Sequence, residues 1–210
     1  MKFILFVEGK TERLSTGFVK RWLDARLSQS VRVKPVRFEG VNDYCRSIAK
    51  VANLRLSGAD VGEVIAGIGL LDAYGLDRAL SFPSGVSSVA SRCSWAKREI
   101  EERVNHAKFR QHFAVHELEA WLLSDVRIFP REVSRRIAAK TASPESVNLD
   151  EPPARLLEKA YRDGLRCGYK KAVDGPDLFQ FLDPNVAYEK CPALKSMLDD
   201  MLALARTAGL

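Results

Sequence analysis

Two unbroken apolar stretches, within Lys2–Val7 and Glu63–Leu71, constrain this chain more than any other feature. Each is too short to span a bilayer and lacks the polar alternation of a half-exposed strand. Such runs suit strands buried on both faces, which requires a parallel sheet with helices above and below. Between them the periodicity changes. Phe18, Trp22, Leu23 and Leu27 recur at helical spacing, predicting a helix from Thr11, as N-cap, to about Leu27. Val31–Phe38 alternates apolar and polar residues and reads as a strand, with Pro35 implying an edge position or a bulge. Asn42 is the expected cap of a helix to about Leu56, and Leu76–Ser88 reads as a loop. A helix over Val89–His106, a fourth strand over Phe109–Val115 and a helix carrying Leu118, Trp121 and Leu122 follow. The fold class is therefore α/β, a mostly parallel sheet flanked by helices. After about Ile128 the strand signal disappears. Residues 1–126 are expected to form the α/β domain, and 127–210 a helical C-terminal extension packed on it and broken at Pro and Gly.

With 46% hydrophobic residues the chain can build a core, and no apolar run reaches the roughly 20 residues of a membrane helix. The N-terminal run meets Glu8 and Glu12 without a small-residue cleavage site, so it reads as a strand rather than a signal peptide. Cys45, Cys93, Cys167 and Cys191 are dispersed, with no CxxC pair. These features predict a cytoplasmic protein with reduced thiols and no membrane partner. The net charge of +6 suits a phosphate-rich partner, although the basic clusters in Lys97–Arg103, Arg127–Lys140 and Arg155–Lys171 equally suit solvated helix faces.

The chemistry is expected at the strand ends. Ligands of open α/β sheets bind beyond the carboxyl ends of the strands, and three predicted strands finish there with an acid: Glu8, Asp72 and Glu117. Glu12 lies four residues after Glu8, and Asp125 lies in the turn after the helix that begins near Glu117. Glu119, two residues beyond Glu117, would point elsewhere on a helix. Carboxylate clusters suit hard Mg²⁺ or Mn²⁺ rather than zinc, and like charges so close call for a neutralising cation. Taken singly, each acid also has a structural role open to it, since acids in a first helical turn favour the helix dipole.

Other signals are weaker. Gly9-Lys10-Thr11 lacks the earlier glycine of a phosphate-binding loop, and position 120 is Ala where a zincin needs its second His. His112 and His116 share a strand face without a nearby third ligand. No GxSxG elbow is present, and Trp22, Trp95 and Trp121 fall on apolar helix faces, which suits core packing.

Several motifs together resemble a known group. Val7-Glu8-Gly9-Lys10-Thr11-Glu12 resembles the EGxTE opening of TOPRIM domains in the overcoming-lysogenization-defect (OLD) group. Asp72-Ala73-Tyr74-Gly75 followed by Phe82-Pro83, and His116-Glu117-Leu118-Glu119-Ala120 with Leu123-Ser124-Asp125, resemble segments of a small uncharacterised TOPRIM-like family. Pro144-Glu145, Asn148, Pro153-Ala154-Arg155, Tyr169-Lys170-Lys171, Asp174-Gly175-Pro176 and Cys191-Pro192 follow in that family's order. The resemblance implies a TOPRIM fold and a Mg²⁺- or Mn²⁺-dependent nuclease acting on nucleic acid, DNA ahead of RNA. It also implies an ABC-type ATPase partner in bacterial antiviral defence. It assigns Glu8 as metal ligand or general base, Glu12 as a second-metal ligand, and Asp72 and Glu117 as further ligands. Arg155 and Lys171 would stabilise phosphate charge, and His116 would orient a carboxylate or touch phosphate. The chain departs from the usual DxD motif, because Tyr74 replaces the second acid. Glu117 or Glu119 is the candidate replacement. Two rivals follow: a non-cleaving nucleic-acid-binding or regulatory subunit, and a phosphoryl-transfer enzyme for a small substrate.

Overall fold

The first apolar run forms the inner strand β1 (Lys2–Glu8) of a four-stranded sheet in the computed structural model, which describes residues 1–9, 13–58, 61–146 and 152–210. Parallel to it lie β2 (Arg32–Phe38) on one side and β3 (Val64–Asp72) on the other, and β4 (Phe109–Ala114) pairs with β3. The order β2-β1-β3-β4 puts Pro35 on an edge strand, as expected where a proline cannot donate to a ladder. The sheet is α/β and wholly parallel, with helices on both faces.

Alternation along the strands sorts the core into two layers. Phe3, Leu5 and Val7 join Ile68 and Leu70 on one face, while Ile4 and Phe6 join Leu71 and Phe113 on the other. The second face is covered by α2 (Val41–Leu56) and α3 (Val89–Val104), through Tyr44, Ile48, Ala96 and Ile100. On the first face lies α1 (Arg13–Asp24), with Phe18 and Trp22 buried. After α4 (Glu119–Leu122), the helices α5 (Arg131–Ile137), α6 (Pro153–Leu165), α7 (Lys171–Phe181), α8 (Pro184–Lys190) and α9 (Pro192–Thr207) add to this same layer. Phe18 stacks at 6.0 Å on Trp121 of α4 and meets Phe179 of α7 edge-on at 6.0 Å. Arg21 of α1 donates to the carbonyls of Phe179 and Leu182 (2.9 and 3.0 Å), satisfying the end of α7. Among the described residues no helix is long and apolar enough to cross a membrane.

Several boundaries differ from the sequence expectation. Asn42 does not cap α2, because the helix begins at Val41; Asp43 instead accepts the Glu39 N–H at 3.1 Å. Thr11 lies outside the described residues. The helix α3 stops at Val104, where Asn105 turns left-handed, and Ser88 caps its start. Only one turn, α4, follows β4, because Asp125 accepts the Arg127 N–H and opens a new turn. Gly175-Pro176 falls inside α7 rather than breaking it. Pro176 is the sixth of the eleven residues of this helix, so its missing N–H takes one bond from the helix interior.

Candidate functional site at the carboxyl rim of the sheet

The strand order reverses between β1 and β3, since β2 lies to one side of β1 and β3 and β4 to the other. That is where a crevice opens in a doubly wound sheet. Val7 pairs with Leu70, which places the ends of the two strands, Glu8 and Asp72, side by side at this point. The exit from β4, His116-Glu117, lies on the same rim, since the Tyr74 N–H donates to the His116 carbonyl at 2.9 Å.

Each of the three acids accepts a backbone N–H. Glu8 accepts that of Val41, the first residue of α2. Glu117 accepts that of Ala154 in the first turn of α6, at 3.0 Å. Asp72 accepts that of Leu118, just before α4, at 3.1 Å. The amides at a helix start are short of acceptors and carry partial positive charge, so they hold carboxylates well. Burial still raises the Glu8 pKa, with the Val41 N–H, Lys171 and Arg78 pulling it back.

Lys171, at the start of α7, brings a cation to the site. Its Nζ lies 3.0 Å from Glu119 Oε2 and 3.9 Å from Asp72 Oδ2. Burial alone would lower its pKa, but Asp72, Glu119 and Glu117 more than reverse this, so it is held above the ordinary lysine range. Glu119 is only 1% exposed, and burial raises its pKa against the pull of Lys171. Among the described residues its second oxygen, Oε1, is buried without a hydrogen-bond partner, as is the Tyr169 hydroxyl. The expectation that Glu119 points away from Glu117 assumed a helix starting at Glu117. The helix starts at Glu119, and both carboxylates act on Lys171.

The remaining sequence candidates divide. Arg155 is exposed and adjacent in sequence to the Ala154 amide that holds Glu117. His116 is buried with its Nδ1 unpartnered among the described residues, and burial lowers its pKa against Glu117. Its φ of 67° is positive, as at Asn105 and Arg166; those two are helix C-caps, whereas His116 is not. Left-handed backbone at a non-glycine residue costs energy and concentrates at functional sites. Glu12 lies outside the described residues. Asp125 is tied to Arg127 at 2.7 and 2.8 Å. His112 faces Asp200 of α9 at 3.2 Å instead of forming a zinc pair with His116.

The donors suit a hard divalent ion in type, being carboxylate oxygens throughout. Glu8, Asp72 and Glu117 are the side chains that would hold it, and the orphaned Glu119 oxygen marks a polar demand in the same place. Among the described residues no three His, Cys, Asp or Glu side chains form a ready-made cage, and Lys171 supplies the positive charge between Asp72 and Glu119.

A family model described as a domain of unknown function, DUF4276, matches residues 7–202. The chain belongs to this family. The matched span contains every rim residue described above, from Glu8 to Lys171, so the acids, the lysine and the helices that hold them fall within one DUF4276 domain. No curated protein matches the chain. Among solved structures, it is similar to the C-terminal region of the Burkholderia pseudomallei OLD protein, with 15% identity, a TM-score of 0.49, and 99% of this chain and 98% of that one covered. It is also similar to the C-terminal region of the Xanthomonas campestris pv. campestris OLD protein, with 18% identity, a TM-score of 0.45, and 98% and 95% covered.

Sequence reasoning missed two arginines of this DUF4276 rim. Arg78 and Arg92 line a cleft of about 220 Å³ with Tyr74, Gly75 and Cys93, and the Arg78 guanidinium lies 5.7 Å from the Tyr74 ring. Arg78 falls in the stretch read as a loop and Arg92 on a helix. Neither belongs to a recognisable spacing, so only folding reveals their proximity. A positive φ at Gly75 (98°) turns the chain from β3 into this cleft, a conformation glycine adopts at little cost.

Proposed function

We propose that this protein hydrolyses phosphodiester bonds of nucleic acid, DNA ahead of RNA, using Mg²⁺ or Mn²⁺ held by Glu8, Asp72 and Glu117. The placement of Glu8 and Asp72 at the ends of neighbouring strands and of Glu117 on the exit from β4, on one rim at the topological switch point with half-buried Lys171 beside Asp72, carries this conclusion. When bound, a divalent ion lowers the pKa of water and offsets phosphate charge. Lys171, braced by Glu119, supplies a positive charge where negative charge develops in the transition state. Arg155 and Arg78 are suited to hold the flanking phosphates, and exposed Tyr74 offers a ring for a base beside them. His116, kept neutral at pH 7 by burial, can share a hydrogen bond through its unpartnered Nδ1. By the sequence resemblance the proposal extends to a cytoplasmic role in antiviral defence with an ABC-type ATPase partner.

The test is cleavage of plasmid and linear DNA by purified protein in Mg²⁺ or Mn²⁺. Asp72→Asn and Glu8→Gln are expected to lower the rate at least about 100-fold, as loss of a charged transition-state contact does elsewhere. Unchanged ion-dependent cleavage in both variants would falsify the proposal.

One observation favours a second reading. Tyr74 replaces the second acid of the motif, which suits a subunit that binds nucleic acid without cutting it. Crystals soaked in Mn²⁺ discriminate: two ions about 4 Å apart indicate cleavage chemistry, and one ion or none the binding subunit.

A further inference from the structure

Helix α6 begins at the rim, where its Ala154 amide holds Glu117, and runs away from it. Along its exposed side lie Arg155, Lys159 and Arg162, and Arg166 follows at the C-cap. At 100° per residue the three helical cations fall within an arc of about 60°, and the file from 155 to 166 extends about 16 Å. Arg136 of α5 joins them, lining a groove with Lys159, Leu156, Ala160 and Asp163. Arg136, Arg162 and Arg166 are exposed, and none pairs with a carboxylate of the described residues. Glu158 and Asp163 flank the file, and Asp163 lines the same groove as Arg136 and Lys159. The opposite side of α6, with Leu157, Ala160 and Tyr161, is buried in the core, which leaves no apolar face to enter a bilayer.

We infer that this file of cations is a track for the phosphate backbone of duplex DNA, leading it to the acids at the rim. Exposed cations in a row gain by replacing the counterions of a polyanion. The length of the file corresponds to four or five phosphates of one strand at about 3.4 Å of axis each. The choice of DNA rests on the function proposed above.

The experiment measures binding of a mixed-sequence DNA duplex to the full chain between 50 and 200 mM salt, in EDTA so that cleavage plays no part. Compared are the natural chain, Arg136→Gln/Arg162→Gln/Arg166→Gln, and the same three positions changed to Lys. Each lost phosphate contact flattens the slope of log K against log salt by about 0.9, so the Gln variant should be shallower by about 2.7. Over this fourfold salt range the natural chain then loses about 40-fold more affinity than the variant. The Lys variant keeps its charges and should keep the steep slope. Equal slopes in the natural and Gln chains overturn the track. So does a Lys variant as shallow as the Gln variant, absence of duplex binding at 50 mM salt, or tighter binding to duplex RNA or to phosphatidylserine vesicles. Cleavage is assayed separately: cutting with equal slopes sinks the track alone, and a slope difference without cutting sinks the nuclease alone.

Discussion

Lys171 and Glu119, 52 residues apart in sequence, meet at 3.0 Å in a place where Glu119 is almost wholly buried. A buried ion pair adds little over an apolar pair of similar size, but removing one partner strands the other charge at a cost of about 3–5 kcal/mol. Because the Lys171 side chain is 35% exposed, Lys171→Met is expected to lower unfolding stability by less than that, about 1–3 kcal/mol. Lys171→Met/Glu119→Leu should recover most of it. Urea unfolding of both variants checks this; a double variant no more stable than the single one would show that the two residues are not energetically coupled.

If Asp72 helps to hold an ion, that ion must stabilise the fold whether or not anything is cleaved. An ion at 100 times its Kd adds about 2.7 kcal/mol. Thermal unfolding with and without Mn²⁺ should show a rise in Tm for the natural chain, and Asp72→Asn should remove most of it. A rise of equal size in the variant would place the ion elsewhere.

Gly69 and Gly17 should respond to alanine with opposite signs. A Cβ on Gly69 would overlap the Gln111 amide and the Tyr44 hydroxyl, which form a buried hydrogen bond of 2.6 Å. Overpacking of this kind costs about 1–3 kcal/mol, with the strained hydrogen bond in addition. Gly17 is exposed within α1 and a Cβ there meets nothing within 4 Å. Gly17→Ala should stabilise by about 0.5–1 kcal/mol. Denaturant midpoints of the two variants give the comparison.

Asp125 supplies a pH-dependent part of stability. The Arg127 side-chain hydrogen bond, with the Arg127 backbone N–H, lowers its pKa from 3.8 against burial. The folded state therefore binds the proton less readily than the unfolded chain. The contribution is complete above pH 3.8 and is lost as the pH falls from there through the lowered folded value. Asp125→Ala should cost about 1 kcal/mol at pH 7, the usual penalty for losing a cap. The gap to the natural chain should narrow between pH 4 and 3. A gap independent of pH would mean that packing, not charge, accounts for the loss.

Much of the architecture was legible because it depends on local pattern. Unbroken apolar runs, helical spacing and Pro35 predicted four strands, their connecting helices and an edge position for β2. The acids near the strand ends were visible for the same reason, since Glu8 and Asp72 directly follow their runs and Glu117 comes soon after its own. Boundaries governed by single hydrogen bonds were less legible. The start of α2 and the shortness of α4 turn on which amide a nearby Asp side chain accepts.

By itself, then, the sequence determined the α/β alternation and brought Glu8, Asp72 and Glu117 to the ends of separate strands. Tertiary structure alone decided that β1 and β3 are neighbours across the point where the order reverses. It also decided that Lys171 stands between Asp72 and Glu119, and that α2 and α6 each turn an amide onto an acid. The physical reason is range. Periodicity is written within a few residues, whereas the partner of a buried charge is chosen by how distant helices pack, and nothing near Glu119 in the chain specifies the lysine that neutralises it.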